Sequence, residues 1–254
     1  MDVSSASIRE ARELLSRYFP ITRLIAAPSL SRLTGSKVYL KLESELPTGS
    51  FKPRGALYAL AANLARRKIK EVVASSTGNH GAAVAFAAKL LHVPATIFLP
   101  ENPNPVKRKR IAELGAKAVE EGSQDLAAAF QKAQAYASQK PDVFFLNDAT
   151  DPDLPAGPAT IGGEILDQLS SANVIYVPMG DTALIRGLAS AVKQRSPNVR
   201  IVGVQAERAP SYFLSWKQGK VIETESCDTI ADGLATRTPE AANVNSIREL
   251  VDEV

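Results

Sequence analysis

From Ser7 to Phe19 the apolar residues Ile8, Ala11, Leu15 and Phe19 recur at helical spacing with charges between them, which predicts an amphipathic helix. A loop containing Pro20 and Pro28 follows, and Lys37–Glu43 then alternates apolar with polar positions as a strand does. After the turn Pro47-Thr48-Gly49, residues Pro53–Arg66 read as a helix, with Pro53 in the first turn, where its missing N–H has no partner to lose. Beyond it, short apolar runs at Glu71–Ser75, Ala95–Leu99, Lys117–Glu120, Val143–Leu146, Val174–Val177 and Arg200–Val204 read as strands. Helical patterns fill the gaps at Ala82–Leu91, Pro105–Leu114, Asp125–Ser138, Thr160–Leu169 and Ala183–Gln194. Strands alternating with helices in this way argue for parallel sheets covered on both faces, so the expected fold class is α/β. No repeat, low-complexity tract or long linker breaks the pattern.

Composition narrows the function classes more than the fold. The 254 residues, 45% hydrophobic and 22% charged, suit one large domain or two small ones. No run approaches the roughly 18 uncharged apolar residues of a membrane span. Met1–Glu10 carries Asp2 and Glu10 and has no apolar stretch, so no signal peptide is expected. The single cysteine, Cys227, has no internal disulfide partner and fits a reducing cytoplasm. Together with His80 and His92 it leaves too few soft ligands for a structural zinc site. A net charge of +3 suits a small anionic ligand and gives no argument for nucleic acid or a membrane surface as partner.

Three segments carry candidate chemistry. Thr48–Ala56 places Lys52 on a tight turn before a helix, whose positive end disfavours an ammonium and is expected to leave a neutral, nucleophilic amine. By itself, the segment is equally a surface lysine at a helix start. Ser75-Ser76-Thr77-Gly78-Asn79-His80-Gly81 joins a strand to a small-residue helix, whose first N–H groups favour an anion such as a carboxylate. A routine cap reads the same way, and His80 alone reads as structural. Val177–Gly187 again leads from a strand into a helix, a place for a phosphate or for a plain loop. It lacks the G-x-G-x-x-G fingerprint of a nicotinamide dehydrogenase, and no G-x-S-x-G hydrolase elbow occurs in the chain. The basic run Lys107–Arg110 suits a solvated face, Phe130 and Tyr136 suit packing, and His92 suits a helix end.

Together and in this order, SFKPRGA (Ser50–Ala56), SSTGNHG (Ser75–Gly81), AGPAT (Ala156–Thr160), VPMGDTALIRG (Val177–Gly187) and IADGLA (Ile230–Ala235) resemble the fold-type II pyridoxal-phosphate (PLP) enzymes. The likeness is to the serine/threonine dehydratase family, serine racemase-like members included, and runs from about Thr22 to the last residue. It implies a two-domain, tryptophan synthase β-like fold, with residues 1–70 and 147–254 as a large domain and 71–146 as a small mobile one. It implies that Lys52 is the catalytic Schiff-base lysine and general base. Lys52, Asn79, Gly180, Asp181, Thr182 and Ala183 would bind pyridoxal 5'-phosphate. Ser76, Thr77, Gly78, Asn79 and His80 would bind substrate, with Thr77 also catalytic. The activity implied is an ammonia-lyase converting L-threonine, L-serine or a related β-hydroxy amino acid to a 2-oxo acid and ammonia. The same segments would serve a β-replacement or threonine-synthase-like enzyme, or a truncated, non-catalytic PLP-binding chain. A cytoplasmic homodimer with a small amino-acid substrate is the expected setting.

Four departures qualify the resemblance. The phosphate loop reads Gly180-Asp181-Thr182-Ala183 where close relatives have a run of glycines, and an Asp facing a phosphate is repulsive unless it turns away. Thr77 stands where serine racemase has its second-face serine, which disfavours racemisation. Gln205 and Ser211 stand where that group has acidic metal ligands, so no bound metal is expected. The chain stops at Val254, before a Ser/Thr-Gly-Gly-Asn segment typical of the group, which reads as a C-terminal truncation that impairs activity.

Overall fold

The structure is a computed structural model that describes residues 3–76, 78–103, 105–120 and 126–254. Helix α1 (Ser5–Leu15) is capped by Ser4, whose side chain accepts a hydrogen bond from the N–H of Ser7. Strand β1 (Leu24–Ala26), helix α2 (Pro28–Thr34) and strand β2 (Tyr39–Lys41) follow. β1 and β2 pair antiparallel, Ile25 opposite Leu40, so the expected strand Lys37–Glu43 is shortened and gives way to a 3-10 turn at Glu43–Glu45. Helix α3 (Lys52–Arg66) begins one residue earlier than its apolar pattern predicts, and Lys52 is its first residue.

Strand β3 (Glu71–Ser75), helix α4 (Asn79–Leu90), β4 (Ala95–Leu99), α5 (Pro105–Glu113), β5 (Lys117–Glu120), α6 (Leu126–Ser138) and β6 (Val143–Phe145) build one sheet. Its order is β5-β4-β3-β6 and every pairing is parallel. Both faces are covered, as the apolar runs require. Val72 and Ala74 of β3 join a core with Leu57, Leu60, Val84 and Leu146, while Val73 faces Ala129 and Ala133 of α6. Helix α7 (Ala156–Gln168), β7 (Val174–Pro178), α8 (Ala183–Arg195), β8 (Arg200–Val204), α9 (Ser211–Gln218) and α10 (Ala241–Leu250) complete the chain. β7 and β8 pair parallel, and Glu253 forms a further parallel bridge to Val202. A second core gathers Ile161, Ile165, Val177, Met179, Ile185, Ile201, Tyr212 and Ile247 around these strands. Val174 and Tyr176, on the opposite face of β7, are exposed.

Glycines let α3, α7 and α8 come closer than side chains permit. A Cβ at Gly157 of α7 would lie 2.3 Å from the backbone carbonyl of Arg54, and one at Gly187 of α8 would lie 2.1 Å from the carbonyl oxygen of Pro155. Arg54, fully buried, locks the same region through Glu43 at 2.9 Å and Glu164 at 2.5 Å. Its guanidinium also donates to Thr160 Oγ1 at 3.0 Å. Lys41 adds a second cation to Glu164 at 2.6 Å. The starts of α3 and α8 are thereby held beside the loop that follows β6. Among the described residues, no helix is long and apolar enough to cross a membrane.

Candidate active site

Ligands of open parallel sheets bind where strands end and loops begin, at the carboxyl side. Three of the loops there converge on Lys52. The turn before it closes with Gly49, whose φ of +69° suits glycine and whose N–H donates to Leu46 O at 2.7 Å. From the first position of α3, Lys52 reaches Asp148, on the loop after β6, with Nζ to Oδ2 at 2.7 Å.

Asp148 also faces His80 of α4, whose Nδ1 lies 3.7 Å from the same oxygen. The His80 ring is fixed from its other side, where Nε2 sits 2.9 Å from the carbonyl of Leu146. A carbonyl only accepts, so Nε2 carries the proton and Nδ1 presents a lone pair. Burial, followed by the neighbouring Lys52, pushes His80 below the usual histidine range despite the pull of Asp148, and the ring is neutral.

The charge of Lys52 departs from the sequence expectation. Burial alone lowers its pKa, but attraction to Asp148, the hydrogen bond between them and a further pull from Asp181 outweigh burial and raise it. The expected neutral amine is therefore an ammonium: a carboxylate in direct contact exceeds the partial charge of a helix end. Burial works against the Asp148 carboxylate too, yet His80, Lys52 and the Lys52 hydrogen bond together hold its pKa well below the usual range. Asp181 moves the opposite way. Burial and the charge of Asp148 push it up to about 6, against the pull of Lys52. Two carboxylates share one cation, and the one in contact with it stays ionised.

The loop of Gly180–Ala183 lies across from Lys52 and opens α8. Gly180 packs so close to the IADGLA segment that a Cβ would lie 2.5 Å from the carbonyl of Gly233. Thr182 adopts the left-handed region at φ 67° and caps α8 without a side-chain bond to the helix. Its Oγ1 accepts instead from Arg186 Nε at 3.2 Å. Asp181 turns its Oδ1 toward Thr236 Oγ1 at 3.2 Å. Asn243 of α10 ties this loop to the Asp148 loop: its Nδ2 lies 3.0 Å from Ala149 O and 3.5 Å from Asp181 O. Arg186 adds a longer contact, Nη2 to Ala149 O at 3.4 Å.

The remaining segment joins β3 to α4. Gly78, the N-cap, donates its N–H to Ser76 Oγ at 3.1 Å, and Gly81 packs where a Cβ would meet Ser76 O at 2.9 Å. Asn79 is exposed at the first position of α4. Thr77, expected to be catalytic, lies outside the described residues. The structure thus joins Lys52, His80 and Asp181 through contact or electrostatic coupling, with Ser76, Gly78 and Asn79 on the adjoining loop. Asp148, Asn243 and Arg186 were not singled out in the sequence. A signal for Asp148 exists: it sits in the turn-rich run Asn147–Asp153 directly after a strand of the parallel sheet.

These groups fit a phosphate-bearing aldehyde. Lys52 supplies an amine, and the start of α8, uncapped by its own side chain, supplies donors for an anion. Asp181 is turned to Thr236 and its pKa is pushed up to about 6, which lessens the repulsion its carboxylate would exert. The buried hydroxyl of Ser75, at the end of β3, has no hydrogen-bond partner among the described residues. An open cavity of about 720 Å³ lies at the other end of the sheet, between Lys70, Glu71, Lys117 and Lys140, and contains none of the site residues.

Comparison with known proteins agrees with this geometry. Residues 15–254 match the model of the family described as pyridoxal-phosphate dependent enzyme. The chain is 38% identical over 250 residues to an L-threonine ammonia-lyase of Geobacter sulfurreducens, covering 97% of this chain and 61% of that protein. It is 35% identical to an L-threonine ammonia-lyase of Thermotoga maritima, covering 99% and 62%. The chain thus spans about three fifths of the length of these relatives. Among solved structures it is similar to maize serine racemase, with a TM-score of 0.91 at 30% identity, covering 100% of this chain and 76% of that one. A threonine deaminase from Solanum lycopersicum gives a TM-score of 0.90 at 29% identity, covering 99% and 75%.

Proposed function

This chain belongs to the pyridoxal-phosphate dependent enzyme family, and from that premise we propose that it is an ammonia-lyase. Its substrate is L-threonine, L-serine or a related β-hydroxy amino acid, and its products are a 2-oxo acid and ammonia. The observation that carries this reading is the convergence of Lys52, the residues Ser76 and Gly78–His80 around the start of α4, and the Gly180–Ala183 loop at one end of the strands. The relatedness to two L-threonine ammonia-lyases supports the choice of reaction.

When bound, pyridoxal phosphate supplies an electron sink for the bonds of the α-carbon. In the proposal, Gly180, Asp181, Thr182 and Ala183 hold its phosphate with the first N–H groups of α8, and Asn79 bonds the ring. Lys52 anchors the cofactor and, as a neutral amine, takes the α-proton of the substrate. Ser76, Thr77 and Gly78 hold the substrate carboxylate at the start of α4, with His80 behind them. His80 braces that loop: its ring is neutral and fixed to Leu146, which suits support rather than proton transfer.

A cytoplasmic homodimer belongs to the same proposal. So does a mobile small domain of residues 71–146, supported by the four-stranded sheet falling wholly within that span. Closure of that part over substrate would exclude water from the Lys52 site.

Purified protein mixed with pyridoxal phosphate is expected to gain the visible absorbance of a lysine-bound cofactor and to release 2-oxo acid from L-threonine or L-serine. Lys52→Ala should abolish both. Unchanged absorbance in that variant, or absorbance without any turnover of either amino acid, would refute the assignment.

A further inference from the structure

The carboxylate of Asp148 has no part in the proposed reaction, yet it makes the shortest polar contact of Lys52. The residue that follows it is held at both its backbone N–H and its carbonyl. Ala149 N donates to Asn147 Oδ1 at 3.0 Å, and Ala149 O accepts from Asn243 Nδ2 at 3.0 Å. The carboxylate is therefore carried on an anchored loop, within 2.7 Å of Lys52 Nζ. Among the described residues, three titratable groups bear on Lys52 or its partner: Asp148 from the loop after β6, Asp181 from the loop after β7, and His80 from α4. Of these only Asp148 touches Nζ, and neutral His80 brings no competing charge. Tyr212 and Glu240 lie beyond Asp181.

We propose that Asp148 is a positioning residue for the Lys52 amine: it holds the cofactor-free chain with Lys52 protonated and aimed, and it sets the pH at which Lys52 captures its aldehyde. This rests on the reading of Lys52 as the cofactor lysine. An ammonium has no lone pair, so Nζ must first release one proton to solvent. Its lone pair then attacks the aldehyde carbon, and the carbonyl oxygen departs as water with the two remaining Nζ protons. Removing Asp148 removes the group that resists the first of these losses. Each unit by which the amine pKa falls raises the neutral fraction about tenfold at a pH well below it.

Two measurements test this, one without the cofactor. In the wild-type chain, trace acetylation followed by peptide mass analysis gives the pH midpoint of each lysine. Lys52 is expected to titrate above the ordinary lysine value of about 10.4, and a midpoint at or below that value overturns the proposal whether or not any variant folds. In the second, cofactor-free protein is mixed with pyridoxal phosphate between pH 6 and 10. Capture is followed by visible absorbance and located by borohydride reduction and peptide mass. Asp148→Asn should capture about tenfold faster at pH 7.5 with its profile displaced to lower pH, and Asp148→Glu should return the profile toward wild type. Superimposable profiles for wild type and a folded Asp148→Asn overturn the role of Asp148. Capture at another lysine, or none at any pH, instead overturns the reading of Lys52, and the proposal with it.

Discussion

Asp181 holds a carboxyl group where burial and a neighbouring anion both oppose its charge. Its pKa of about 6 in the folded chain lies above the ordinary aspartate value, so folding binds a proton that the unfolded chain gives up near pH 4. The stability that accompanies this proton is present below pH 4 and is lost as the pH climbs through 6. Asp181→Asn removes the titration. Its advantage over wild type in urea unfolding should therefore grow between pH 4 and pH 7, by up to about 3 kcal/mol, the linkage expected for roughly two pKa units. A constant gap across that range would show that Asp181 does not titrate there. Lys52 shows why such groups resist reading from a sequence. The helix start is visible at Pro53, but the charge of the amine depends on Asp148, which is 96 positions away in the chain.

The spacing of the helices fixes where those residues meet. Gly157→Ala would drive a methyl group into the Arg54 carbonyl, and backbone cannot yield as a side-chain tip does. A loss of about 3 kcal/mol or more in denaturant unfolding is expected, in the range of a disrupted core. Gly163 lies in the same helix with Arg195 Nη1, 3.6 Å away, as the nearest neighbour of its would-be Cβ. Gly163→Ala should be neutral or stabilising by up to about 1 kcal/mol, because alanine restores helix propensity without a clash. The strands with continuous β-branched and apolar runs, β3, β4 and β8, were legible to the residue. Helix α7 starts four residues before its expected Thr160, since Gly157 and Pro158 look like loop residues until the packing against Arg54 is seen. Helices α2, α9 and α10 were not anticipated. In α2 no residue is buried, so it lacks the apolar face that a periodicity search requires.

Across the whole molecule, the Arg54 network ties together parts of the chain far apart in sequence: Thr22, Lys41, Glu43, Thr160 and Glu164. Arg54→Met leaves two carboxylates facing each other without their shared cation, and a loss of about 3–5 kcal/mol is expected in urea unfolding at pH 7. The loss should shrink toward pH 3. Although burial opposes the charge of Glu164, Arg54 and Lys41 hold its pKa below the ordinary glutamate value, so its contribution is present above that value and falls away as acid protonates it. This clamp was read in the sequence only as part of the SFKPRGA segment, because its partners come from β2, the 3-10 turn, α7 and the loop before β1. The α/β alternation and the three loops were legible, since each is a local pattern. The Asp148 contact and the Asn243 staple were not, since each exists only after folding.

The tight seating of Gly157 and Gly187 also bears on how this scaffold can acquire new chemistry. Positions along that three-helix junction have no room for a larger residue, so variation there is filtered out by folding before any activity is tried. Positions such as Asn79, exposed at the start of α4, and Asp148, on a loop with its side chain 20% exposed, are free of that filter. A library seeking altered selectivity should therefore recover its folded, changed members from codons 76, 79, 148 and 181, and few or none from codons 157 and 187.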